Sequence, residues 1–207
     1  MRIHSSVIFA ATVAALALTS LVSIGQANDN GQASAAQGDA TTVQKTASIS
    51  AADFSEPRVW AAAKNVVAVK HLYLSDQPDQ ATLDTAVENG VGVVINLRGP
   101  DELDWDEDNA VTKLGMTYYS VPIARHASSF DADTLAQISA LVGKHRDTKI
   151  LVYCASGNRV SGWFAVHLAR DHGMSLEESI DLSKNVGLTK GSMKSRVRKF
   201  MATESGE

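Results

Sequence analysis

Apolar and polar positions alternate in blocks along this chain, and the period of the blocks switches between that of a sheet and that of a helix. Residues 66–73 read as a strand, 80–89 as a helix ended by Gly90, and 91–97 as a wholly apolar strand of the kind buried on both faces. A short helix over 106–114 closed by Gly115 and a strand over 117–121 ending at Pro122 come next. Residues 131–144 then form a helix with Leu135, Ile138 and Leu141/Val142 on one face. The β-branched run 150–153 predicts a strand that delivers Cys154, and helices over 159–170, over 176–185 ended by Gly187, and from Thr189 onward complete the chain. Strands taking turns with helices predict an α/β fold, a mostly parallel central sheet flanked by helices, with its ligand site beyond the carboxyl ends of the strands.

The N-terminal quarter breaks this pattern. Met1-Arg2-Ile3-His4 precedes an apolar stretch from Val7 to Ile24 and the small-x-small sequence Gly25-Gln26-Ala27, which reads as a signal peptide over residues 1–27 cleaved after Ala27. An uncleaved membrane anchor is the alternative. Residues 28–52 are built of Ala, Gln, Ser, Thr, Asp and Gly, too poor in large apolar side chains to fold, and read as a disordered linker. Residues 53–207 have the size of one domain with one core. The expected location is the periplasm or the exterior, with no stable membrane insertion once the signal is removed.

Composition narrows the chemistry. A net charge of −4 and a pI near 5.8 give no reason to expect a nucleic-acid partner. There is no metal-ligand cluster, no nucleotide-binding glycine motif and no repeat, so no cofactor is expected. One cysteine in an exported chain cannot close an internal disulfide, so it is either an inert core filler or a thiol kept for reaction. Its setting favours reaction: Cys154 stands where a strand gives way to a glycine turn and a helix, so loop amides, the helix dipole and Arg159 can all stabilise a thiolate. The same loop can hold the oxygens of a tetrahedral anion.

Gln77-Pro78, Leu83, the run Gly90 to Arg98, Tyr118 to Pro122 and Cys154-x-Ser156-Gly157-x-Arg159 together resemble the phosphatase-like domain of beta-lactamase-hydrolase-like proteins, within the dual-specificity/tyrosine phosphatase superfamily. The resemblance covers roughly residues 65–200. It implies a tyrosine/dual-specificity phosphatase-like fold and an exported cysteine-dependent hydrolase acting on a phosphomonoester, either a small anionic substrate or a phosphoprotein. Cys154 is then the nucleophile, and Arg159 with the loop residues Ala155, Ser156, Gly157 and Asn158 binds the phosphoryl oxygens.

Two features depart from that pattern. Only four residues separate Cys154 from Arg159 where tyrosine phosphatases have five; four is the rhodanese spacing, which makes a sulfurtransferase carrying a Cys154 persulfide the alternative. The loop that carries the superfamily's aspartate, here Ile123 to Phe130, holds no carboxylate. His126 is its candidate proton donor, against a plainer reading as a solvated histidine. The other candidate, represented by Asp104, is the acidic run Asp101, Glu102, Asp104, Asp106, Glu107 and Asp108, whose plainer reading is a solvated loop. Asp131 and Asp133 read as N-terminal acids of the following helix. A non-catalytic anion-binding module is a second alternative. Trp163 and Phe164 are expected in the core, Arg98 either in the pocket or paired with the acidic run, and Lys190 to Lys199 on a solvated helix face.

Overall fold

The computed structural model describes residues 49–204 and Gly206. The expected signal peptide, its cleavage site and the linker up to residue 48 lie outside the described residues. In chain order the elements are β1 (Arg58–Trp60), β2 (Ala63–Val69), β3 (Leu72–Ser75), α1 (Gln80–Glu88), β4 (Val91–Asn96), α2 (Glu107–Lys113), β5 (Thr117–Ser120), α3 (Ala132–Lys144), β6 (Lys149–Tyr153), α4 (Asn158–His172), α5 (Leu176–Ser183) and α6 (Gly191–Glu204). They form one six-stranded sheet in the order β1-β2-β3-β6-β4-β5, in which β3, β6, β4 and β5 run parallel and β1 and β2 are antiparallel additions. The expected α/β sheet is therefore present, with an antiparallel edge.

Three boundaries differ from the sequence reading. The run 66–73 is a hairpin, not one strand: β2 and β3 turn at Lys70, which takes a left-handed φ of 53° with no glycine to announce it. Residues 49–52 are folded, not linker: Ile49 is buried, and Ser50 caps a 3-10 turn over Ala51–Asp53. The helix read from 176 to 185 is α5 followed by a 3-10 turn over Lys184–Val186.

The period of two along the central strands divides the core between the two faces of the sheet. Ile150, Val152 and Cys154 join Leu72, Leu74, Val93 and Ile95 against α3 to α6, while Leu151 and Tyr153 face α1 and α2 with Tyr73 and Val94. Helix α4 is the central element, with Trp163, Phe164 and Leu168 fully buried, as expected. Side-chain caps start α1, α2, α3 and α5. Asp79, Asp106, Asp131 and Ser175 each accept an amide of the first turn, so Asp131 does serve as an N-cap.

Gly162 is where α4 passes closest to its neighbours. A Cβ there would meet Met193 Sδ at 2.7 Å and Phe130 Cζ at 2.9 Å. The thioether can swing aside, but the Phe130 ring is wedged edge-on to Phe200 and beneath the Arg196 guanidinium. Overpacking of about 1–3 kcal/mol outweighs the roughly 1 kcal/mol that alanine gains over glycine in a helix. Gly162→Ala should therefore lower the urea midpoint at unchanged m-value.

A histidine cluster closes the opposite end of α4. His167 bonds Asp171 at 2.6 Å and meets His172 with 3.3 Å between their Nε2 atoms. Burial pushes both His71 and His172 below the ordinary histidine value of 6.5. A histidine depressed in the folded state contributes stability that is present above the unfolded pKa and is lost as pH falls through the folded one. The urea midpoint should thus fall between pH of about 7.5 and about 5.5, and a His71→Asn/His172→Asn double variant should lose most of that slope.

Candidate active site

Strand β6 sits in the middle of the sheet, and its carboxyl end leads into a four-residue turn, Cys154 to Gly157, before α4 begins. Gly157 takes a φ of 74°, the left-handed conformation that lets the chain reverse into the helix, so that the amides following Cys154 lie at the α4 N-terminus. Cys154 is 1% exposed and has no disulfide partner. Ala155 and Ser156 are exposed, whereas Gly157, Asn158 and Arg159 are buried. Asn158 is a brace as well as a loop residue: its Oδ1 accepts the Lys190 amide at 3.0 Å, fixing the turn to the start of α6. Ser161 donates to the Asn158 carbonyl at 3.1 Å, a contact within α4 itself.

Arg159 reaches back from the first turn of α4. Its Nη1 and Nη2 each donate to a Glu102 carboxylate oxygen at 2.6 Å, and Nη1 also donates to the Ile123 carbonyl at 3.1 Å. This bidentate pair is nearly excluded from water, with side-chain exposures of 7% and 11%. The bond from Arg159 holds the Glu102 carboxyl down at about 2, against the opposing effect of its burial. Burial works against the Arg159 charge, yet Glu102 and Cys154 together raise its pKa. With the far end of the fork filled by Glu102 and Ile123, the donors that remain are Nε–H and the second Nη2 hydrogen. These lie together on one edge of the guanidinium, free of the Glu102 and Ile123 contacts.

Glu102 is the functional residue that the sequence reading did not single out from the acidic run. The 3-10 turn over Pro100–Glu102 positions it, with its carboxylate also accepting the Gly99 amide at 3.1 Å. Arg98 secures that turn by donating to the Glu102 carbonyl and to Gln77 Oε1. Gln77 in turn donates to the buried Glu107 at 2.8 Å, where Tyr118 and Tyr153 also donate. Burial raises the Glu107 pKa. The acidic run is thus not one solvated loop: Glu102 and Glu107 point inward, and Asp101, Asp104, Asp106 and Asp108 are exposed.

A cavity of about 750 Å³ opens beside the Arg159–Glu102 pair, between the turn 98–102 and the loop 122–126. Arg98, Glu102, Ile123, Arg125 and His126 line it, so Arg98 both lines the pocket and pairs with the acidic segment. His126 is exposed at its rim. Asp104 lines a separate cleft with Gln77, Pro78 and Trp105 and is not among the residues around Arg159. On the other side of the Cys loop a cleft of about 640 Å³ runs past Ser156, Asn65, Asn185 and Thr189. The basic C-terminal segment is only partly a solvated face: Arg196 is buried, donating at 2.8 Å to the Ala124 carbonyl and so anchoring the loop that carries Arg125 and His126.

The fold of this chain, with a cysteine loop between a central strand and a buried helix, is similar to that of several solved phosphatases. Among similar solved structures is the DUF442 protein of Shewanella putrefaciens CN-32, at 19% identity over 67% of this chain and 87% of that one, with a TM-score of 0.55. Another is TpbA of P. aeruginosa, at 17% identity over 69% of this chain and 88% of that one, with a TM-score of 0.55. The kinase-associated phosphatase KAP aligns at 15% identity over 66% and 88%, with a TM-score of 0.58. A cysteine-to-serine form of TpbA has been seen in complex with phosphotyrosine, and aligns at 15% identity over 65% of this chain and 81% of that one, with a TM-score of 0.52. No family model matches the sequence, and no curated protein matches it.

Proposed function

We propose that this protein is a cysteine-dependent phosphatase. The observation that carries the reading is the arrangement around Arg159: a buried guanidinium held by Glu102 and close enough to Cys154 for the thiol to raise its pKa, in the first turn of the helix that follows the cysteine loop. In this reading the Cys154 thiolate attacks phosphorus in line, the bond from phosphorus to the leaving oxygen breaks, and a phosphocysteine forms. Arg159 Nε and Nη2 and the amides of Ala155 to Asn158 bind the equatorial oxygens, whose charge spreads in the transition state. His126, exposed in the lining of the adjoining cavity, is the candidate proton donor. Water then cleaves the P–S bond, giving phosphate and regenerating the thiolate. The phosphotyrosine complex of TpbA supports phosphorylated substrates as the class to test. Export to the periplasm or exterior belongs to the same proposal and rests on the sequence of residues 1–27.

The four-residue spacing between Cys154 and Arg159 favours one rival, sulfur transfer through a Cys154 persulfide. The two are separated by assaying the reduced protein for phosphate release from an aryl phosphate and for thiocyanate release from thiosulfate and cyanide, each against Cys154→Ser. Cys154-dependent phosphate without thiocyanate is expected; thiocyanate alone makes the protein a sulfurtransferase on a phosphatase fold.

A further inference from the structure

The loop after β5 lines the cavity beside Arg159, and what it contributes is cationic. Arg125 and His126 are both exposed on that wall, and Arg125 makes no ion pair among the described residues. Arg98 faces them from the opposite wall, anchored by Gln77 and by the Glu102 carbonyl. Of the two carboxylates that line the cavity, Glu102 is consumed by Arg159, which leaves only the exposed Asp101. Arg196 holds the loop in place through the Ala124 carbonyl, next to Arg125, so the cationic wall is fixed to α6. The space beside the Arg159–Glu102 pair is therefore lined to receive negative charge.

Leaving-group chemistry points the same way. An alcohol expelled from a phosphomonoester leaves as the conjugate base of an acid about as weak as water, with a pKa of ~15.7, and needs a well-placed proton donor. The loop Ile123 to Phe130 carries no carboxylate, Asp101 on the facing turn is exposed, and among the described residues His126 has no side-chain partner to hold its ring. A phosphomonoester leaving group, whose own second pKa is about 6, departs as a dianion without further protonation, as does the phosphate that leaves a singly protonated pyrophosphate, and each needs cations instead.

We infer that the substrate is a phosphoanhydride, a diphosphate whose terminal phosphoryl group goes to Cys154 while the other phosphate is held by Arg125 and Arg98. This rests on the phosphatase reading above and names its substrate class. The Cys154 thiolate attacks the terminal phosphorus, and the bond to the bridging oxygen breaks with its electron pair going to the departing phosphate. Water then hydrolyses the phosphocysteine to dihydrogen phosphate and thiolate, so that no oxidant or external proton is required.

The test compares three substrates on the full chain: inorganic pyrophosphate, p-nitrophenyl phosphate, whose leaving group is good but carries no phosphate, and glycerol phosphate, whose leaving group is poor. The first two should be hydrolysed in a Cys154-dependent manner and glycerol phosphate at least about 100-fold more slowly, the size of a missing acid's contribution. Arg125→Ala should lower the ratio of kcat/KM for pyrophosphate to that for p-nitrophenyl phosphate by about tenfold or more, and Arg125→Lys should restore most of it. Raising the salt should depress the pyrophosphate rate more steeply. Glycerol phosphate turned over as fast as p-nitrophenyl phosphate, or a ratio unmoved by Arg125→Ala, overturns the diphosphate inference and leaves the phosphatase reading standing. Absence of Cys154-dependent phosphate from all three overturns both.

Discussion

Replacing Cys154 by serine should reduce phosphate release by about 10⁴-fold or more while leaving the fold and anion binding in place. A serine hydroxyl is not ionised near neutral pH, so the nucleophile is lost outright rather than weakened. The substitution is nearly isosteric at a position that is 1% exposed, next to a guanidinium able to donate to the new oxygen. Far- and near-ultraviolet circular dichroism should overlay those of the parent. Calorimetric titration of the variant with inorganic phosphate should still show binding, because Arg159 and the loop amides are untouched. An inactive parent that binds phosphate as well as Cys154→Ser does would instead identify an anion-binding module.

Removal of the Glu102 carboxylate has the largest expected effect on stability. Glu102→Ala leaves the buried Arg159 charge without its counter-ion, and breaking a buried pair in this way costs about 3–5 kcal/mol, which a urea titration resolves as a shift in midpoint. Glu102→Gln keeps one good acceptor and should lose less. Glu102 acts through Arg159, so it is a positioning residue, and its loss should raise KM for an anionic substrate more than it lowers kcat. A purely structural role would change the urea midpoint and leave KM alone. Since Glu102 titrates at about 2, the ion pair itself contributes no pH dependence to activity between pH of about 5 and about 8.

What the sequence disclosed of this site, and what it hid, follow from how far each interaction reaches along the chain. Cys154 and Arg159 were legible because the strand, glycine turn and helix that bring them together are consecutive, and each signals itself locally. The central strands β4 and β6 were legible for the same reason: their apolar runs are unbroken because both faces are covered. The β2–β3 hairpin was not. Residues 66–73 are apolar apart from Lys70 and His71, and the turn at Lys70 uses a left-handed lysine where glycine or asparagine is the usual marker. Strand β1 spans three residues and takes its order from pairing with β2, which no local pattern encodes.

Glu102 was hidden among neighbours of identical charge. Gly99-Pro100 followed by Glu102 marks a turn, but only the partner 57 residues away distinguishes Glu102 from the exposed Asp101 and Asp104. The same holds for Asn158, whose acceptor binds the amide of Lys190, 32 residues on. Arg196 looked like one more cation of a solvated helix. Its burial against Phe130 and the Ala124 carbonyl depends on how α6 crosses the loop after β5. The two walls of the cavity, which bring Arg98 opposite Arg125, needed the fold.

The most direct test of the central claim is to catch the covalent intermediate. The reduced protein is mixed with an aryl phosphate, quenched in acid within a turnover, and its peptides are analysed by mass spectrometry. A phosphoryl group on the peptide containing Cys154, absent from Cys154→Ser and lost when turnover is allowed to finish, is the result expected of a cysteine-dependent phosphatase. An unmodified Cys154 during Cys154-dependent phosphate release, or a persulfide on Cys154 formed with thiosulfate while aryl phosphate leaves it untouched, would contradict it.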